Sequence, residues 1–222
     1  MVYIIRNQKK GYQTVMNEDI EKILAYWFGT DDSDVIKGRD AFWFSADEKV
    51  DGEINDQFST LIASAKAERL DAWETTAKGS LALIILLDQF TRNIHRGSDE
   101  AFMYDQQARA ICRRGIKQGL DQQLSISERV FYYLPLEHSE LIADQKECVQ
   151  LYRRLAHNVD EKYAGQYKEQ FTFYVDYAVL HYEIIAAYGR FPHRNAIVGR
   201  ESTSAELKYL KEGGFTFGQE KK

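Results

Sequence analysis

Leu81-Ala82-Leu83-Ile84-Ile85-Leu86-Leu87 runs straight into Asp88-Gln89-Phe90-Thr91-Arg92-Asn93-Ile94-His95-Arg96. The first half offers no polar residue. Wound as a helix it is apolar on every side, and such a helix belongs at the centre of a core. It is far short of the ~20 apolar residues a membrane span needs. Working outward, apolar residues recur with the helical period at Ile20, Ile23, Leu24, Trp27 and Phe28, and again at Val50, Ile54, Phe58, Leu61 and Ile62. The chain has 2 prolines in 222 residues, which favours long helices over strands and turns. The expected fold is all-α, about seven or eight helices paired as antiparallel hairpins, because short loops return each helix along its neighbour.

The punctuation gives expected boundaries. Asn17 and Asp47 read as N-caps, and Asp71-Ala72-Trp73-Glu74 reads as a capping box opening the central helix. Ser98 caps the next helix and Gly119 stops it. Ser127–Leu134 reads as a short helix ended by Pro135, followed by helix from Leu136 to about His157. Asp160 reads as the cap of a long helix to Tyr188, stopped by Gly189, and Thr203-Ser204-Ala205-Glu206 opens the last helix. Residues 1–16, with Lys9-Lys10-Gly11, read as an extension, and 17–222 as a single all-helical domain.

The formal net charge is −5, against the basic excess that nucleic-acid binding requires. Cys112 and Cys148 sit in apolar helical patterns and read as small buried hydrophobes, which points to a reducing cytoplasm. The N-terminus lacks the apolar core of a secretory signal. No P-loop, GxSxG, GxGxxG or HExxH occurs, nor a Glu-x-x-His pair or a cysteine cluster, so no cofactor and no metal are expected.

Three polar segments stand out. In Asp88–Arg96, Asp88 and Arg92 lie four apart and share a helix face. In Glu137-His138-Ser139-Glu140, a histidine between carboxylates is placed for proton transfer. Arg190-Phe191-Pro192-His193-Arg194-Asn195, continuing to Arg200, contains no acid and reverses the sign of an acidic protein. Each segment has a plainer reading: a helix-end ion pair, glutamates in a first turn complementing the helix dipole, and arginines that pair with Glu137, Glu140 or Asp88 to staple helices.

At these residues the sequence resembles the bacterial domain-of-unknown-function 924 family. Leu87–Asn93, Phe131–Glu140 and Gly189–Asn195 carry the resemblance, which covers about residues 18–217. It departs at Thr91, where the family typically has proline. The resemblance implies a tetratricopeptide-like all-helical fold and no established activity.

The working expectation is one polar pocket. In it Arg92, Arg190 and Arg194 hold an anionic group, His138 or His193 acts as acid or base, and Glu137 or Asp88 orients the histidine. Asn93 and Asn195 fix the ligand. Hydrolysis or proton transfer on a small anionic substrate is the first reading. The rivals are a scaffold gripping an acidic peptide or carboxylate, and a purely architectural network.

Overall fold

The structure is a computed structural model that describes residues 16–30, 33–44 and 46–219. It is all-α, with no strand among the described residues. The expected extension therefore lies outside the described residues, apart from residue 16, and so do Asp31 and Asp32 of the acidic loop. The first helix, α1, covers residues 16–28, so Asn17 lies inside it and does not cap it. α2 (Asp40–Phe44) is a single aromatic turn, and α3 (Glu48–Lys66) starts at Asp47, whose side chain accepts from the Lys49 N–H at 2.9 Å.

The Leu81 run is the centre, as its composition demands. α4 (Ala77–Ile84) widens into a π-helical turn at Ile85–Phe90 and continues as α5 (Thr91–Ile94). Its N-cap is Thr76, whose hydroxyl accepts from Gly79 N–H at 3.1 Å. Asp71–Thr75 forms a separate 3-10 turn, so the Asp71 box does not open this helix. Trp73 is buried in that turn. α3 packs on the π turn and α5, α6 (Asp105–Gln118) packs on α4, and α7 (Ile126–Glu137) crosses α4. Trp27, Phe58, Phe90 and Phe131 join α1, α3, the π turn and α7 through ring contacts of 4.9–5.6 Å. Each fully buried ring contributes about 1.5–3 kcal/mol by burial alone.

Three further boundaries differ from the sequence reading. Ser98 caps only the 3-10 turn Asp99–Ala101, and α6 starts at Asp105. Pro135 does not end α7; it lies inside the helix, where it has no N–H to offer the Phe131 carbonyl, and the turn continues past it, with His138 N–H reaching Leu134 O at 2.9 Å. α8 (Ile142–Tyr163) runs past Asp160, and α9 (Lys168–Tyr188) starts eight residues after it. The apolar face at Leu151, Leu155 and Val159 outweighs the capping preference of Asp160. α8 and α9 form an extensive antiparallel hairpin. Gly119 and Gly189 end α6 and α9 with φ of 71° and 69°, a left-handed conformation that disfavours a Cβ. α10 (Ser204–Lys211) begins at Thr203 with the expected capping box. Cys112 and Cys148 are free and buried, and burial pushes both thiols up. No helix is long and apolar enough to cross a membrane among the described residues.

Gly115 sits inside α6, where glycine costs about 1 kcal/mol relative to alanine. The reason is Tyr132, which is fully buried and shares a 2.7 Å hydrogen bond with Ser80; a Cβ at Gly115 would collide with its hydroxyl. Gly115→Ala should therefore lower the urea unfolding free energy by about 1–3 kcal/mol. In a double-mutant cycle Tyr132→Phe should recover part of that loss.

Candidate functional site

The π turn decides where the site forms. Asp88 lies in it and is buried with no solvent exposure, as the whole central helix from Gly79 to Asn93 is buried. Side chains of the same segment bond the local carbonyls: Thr91 Oγ1 donates to Leu87 O at 2.6 Å, and Arg92 Nη1 donates to Asp88 O at 2.8 Å. Proline at 91 could not make the first of these bonds.

The Asp88 carboxylate lies 3.0 Å from Arg92 Nη1 and accepts from Gln89 Nε2 at 2.6 Å. His138 Nδ1 lies 2.9 and 3.0 Å from its two oxygens. Burial pushes Asp88 up, but Arg92 and His138 overturn this and hold its carboxyl well below the usual range. Burial and the Arg92 charge hold His138 below its ordinary value, against the pull of Asp88. The consistent state is an ionised Asp88, since Arg92 is always charged, accepting Nδ1–H from a neutral imidazole. Nε2 is then the basic nitrogen, and no described protein group bonds to it.

Glu137 precedes this histidine and is buried at the C-terminal end of α7, the negative end of the helix dipole. Burial and neighbouring Asp88 push its carboxyl up to about 8. His181 Nδ1 is 3.4 Å from Glu137 but 2.8 Å from Tyr177 O, and burial followed by His138 holds it well below its ordinary value. Both groups are neutral, so this contact is not an ion pair.

The turn after α7 is fastened from outside. Gln145 Nε2 donates to the carbonyls of Glu137 at 2.5 Å and Ser139 at 2.7 Å, and Ser139 Oγ donates to Asp144 at 2.6 Å. Asp144 also pairs with Arg113 and Arg109. Glu140 ties the turn to the Arg190–Arg200 segment: it accepts from Phe191 N–H at 2.9 Å and from Arg200 at 2.6 and 2.9 Å. Burial pushes Glu140 up, and Arg200 and the Phe191 N–H more than reverse it.

Two cavities flank His138. The larger, about 650 Å³, is lined by Gln89, Arg92, Asn93, Arg96, Glu137 and His138, with Trp43, Phe44, His181 and the tail Gly213–Gln219 completing its wall. The smaller, about 350 Å³, places His138 beside Arg194, Arg109 and Arg200. Asp88, Arg92, Asn93, Glu137 and His138 thus meet in one place. Asn93 is turned toward Asp51, as is Arg96, at 2.8 and 3.0 Å. Arg194 stacks between Phe102 and Phe191, 4.5 Å from each centroid, and reaches Asp105 at 3.3 Å. Burial lowers Arg194 to about 10 despite Asp105.

The other predicted residues lie apart from Glu137 and His138. His193 is buried, its Nδ1 without a partner, and burial followed by Arg194 lowers it to about 3. Asn195 donates to Ser202 at 3.1 Å. Arg190 pairs with Glu206 at 2.6 and 2.8 Å and lines neither cavity.

Asp105, Asp51 and the tail were not foreseen. Asp105 holds Arg92 at 2.9 Å and Arg194 at 3.3 Å, yet in sequence it is an ordinary first-turn acid. The usable signal was the demand of two buried arginines for a counter-ion.

The site is thus a buried carboxylate holding a histidine beside a cavity in an all-helical protein. The chain belongs to the family described as Bacterial protein of unknown function (DUF924), which it matches over residues 23–214. It is similar to a solved structure, the protein of unknown function ATU0120 from Agrobacterium tumefaciens, with 36% identity and a TM-score of 0.72 over 87% of this chain and 97% of that one. Among curated proteins none matches.

Glu137 takes up a proton on folding, because its folded pKa lies above its unfolded one near 4.5. Its stabilising contribution is full below the unfolded value and is lost as pH rises through about 8. Glu137→Gln keeps the neutral shape. The stability of this variant relative to the parent should rise by on the order of 1 kcal/mol per pH unit between pH 5 and 8, then level off. Urea midpoints across that range measure it.

Proposed function

We propose that the larger cavity binds a small anionic substrate and that Glu137 and His138 carry out acid–base chemistry on it, hydrolysis or proton transfer. One observation supports this above others: a neutral base and a protonated acid, consecutive in the chain, share the wall of one cavity. Environments that drive two titratable groups apart are how acid and base roles are divided. In hydrolysis, His138 Nε2 takes a proton from water as its oxygen bonds to the electrophilic centre. The bond to the leaving group breaks as Glu137 gives that group its proton. Asp88 stabilises the imidazolium that forms and fixes its orientation. Arg92 and Arg96, both lining the cavity, supply the positive field that holds the anion.

The architectural reading has its own support, since Arg92, Arg96 and Arg200 already pair with carboxylates. A thermal-shift panel of small phosphates, phosphonates, carboxylates and acidic peptides separates the readings. The site reading expects a small anion to stabilise the parent, by about 2.7 kcal/mol at a hundredfold excess over Kd. Arg96→Gln should abolish that gain. With a turned-over ligand, His138→Gln should cost roughly 10²–10⁴ in kcat while retaining binding. The rate should fall at low pH as His138 protonates, and above about 8 as Glu137 ionises. A panel with no stabilising small anion overturns the proposal. If only acidic peptides bind, the chain is a tetratricopeptide-like scaffold instead.

A further inference from the structure

Part of the larger cavity is already filled by the chain itself. The tail after α10 turns back over the site, and Phe217 stacks on the His181 imidazole with centroids 4.0 Å apart and planes 24° apart. Other rings close the sides: Phe191 at 6.2 Å, edge-on, and His193 at 5.4 Å. Burial and His138 keep His181 neutral, so this is a stack of two uncharged rings. The box adjoins the acid–base pair, since the rings of His181 and His138 are 6.2 Å apart.

The occupant is held under strain. Phe217 has φ of +54°, a left-handed conformation unfavourable for a residue with a Cβ. Gln219 anchors the tail by donating to Arg92 O over a long 3.4 Å. The family match ends at residue 214, so Phe217 and Gln219 lie beyond the shared region while His181, Phe191 and His193 lie within it. Two half-exposed rings, Phe44 at 47% and Phe215 at 49%, also line this cavity.

We infer that the ring box on His181 is a binding subsite for a planar aromatic group of the ligand, and that Phe217 occupies it until a ligand displaces the tail. The inference rests on the proposed site for the anionic half of that ligand. Together they define the substrate class as a small aromatic anion, its ring on His181 and its charged, reacting end toward Glu137, His138, Arg92 and Arg96.

The test compares the full chain with Phe217→Ala, a change on the tail outside the main core. Phenylphosphonate, methylphosphonate and the neutral benzyl alcohol are titrated by calorimetry, with the emission of Trp43 in the cavity wall as a second readout. Phenylphosphonate should bind the variant about tenfold tighter than the parent, the worth of one freed ring-stacking position. Methylphosphonate should change less than twofold, and benzyl alcohol should bind the variant more tightly than the parent. Equal shifts for both phosphonates, or no gain for either ring compound, overturn the subsite. If benzyl alcohol gains while neither phosphonate binds, the subsite stands and the anionic-substrate reading falls. If both phosphonates bind without ring preference, the reverse holds.

Discussion

A carboxylate with no solvent exposure sits at the centre of this protein, and much of the surrounding arrangement answers its need for positive charge and donors. Removing Asp88 from water costs several kcal/mol, which Arg92 and the His138 N–H must offset through near-ideal geometry. Arg92 is itself buried and requires a second acid, Asp105, which also holds Arg194. The result is an alternating chain of charges, Asp88–Arg92–Asp105–Arg194, running from the central helix through α6 to the segment after α9. Breaking one link strands the next, so the elements that carry these residues are constrained to one mutual position. Glu137 is the counterpart: it gains no such partner, and is left neutral by the same low-dielectric surroundings.

The site also shows how one irregularity is stabilised. A π turn loosens the backbone ladder inside the most apolar helix, where no water is at hand to replace a bond. Thr91 and Arg92 add side-chain donors to the Leu87 and Asp88 carbonyls there. Arg92 therefore serves three acceptors, the Asp88 carboxylate, the Asp88 carbonyl and Asp105, which a lysine with its compact charge could not span in one plane.

Much of this was legible in the sequence. The Leu81–Leu87 run marked the central helix because an all-round apolar face admits no other place. The i,i+4 spacing gave the Asp88–Arg92 pair, and the capping box at Thr203 and the stops at Gly119 and Gly189 follow from local chemistry alone. What was missed depends on tertiary context. Pro135 is accommodated inside α7, so Glu137 and His138 close that helix and do not open α8. Asp160 was outweighed by the apolar face around it. The π turn leaves no signature in composition. Asp105 and Phe217 act through residues far away in the chain, and no local pattern distinguishes them from an ordinary first-turn acid and an ordinary tail aromatic. The segment Arg190–Asn195 illustrates the limit: its charges are adjacent in sequence, yet Arg194 turns inward to Asp105 and Arg190 outward to Glu206.

A π turn is an α-helix carrying one residue more than its turn requires. The helix on either side of Ile85–Phe90 is nonetheless in phase with its own neighbours, α4 with α6 and α7, α5 with α3. The surplus peptide is thus a reversible insertion. Without it the ladder would close into an ordinary α-helix with both flanking faces in register, and Asp88 alone would leave its place between Arg92 and His138. The position of the buried carboxylate thus depends on a single peptide unit that the packing of the flanking helices does not require.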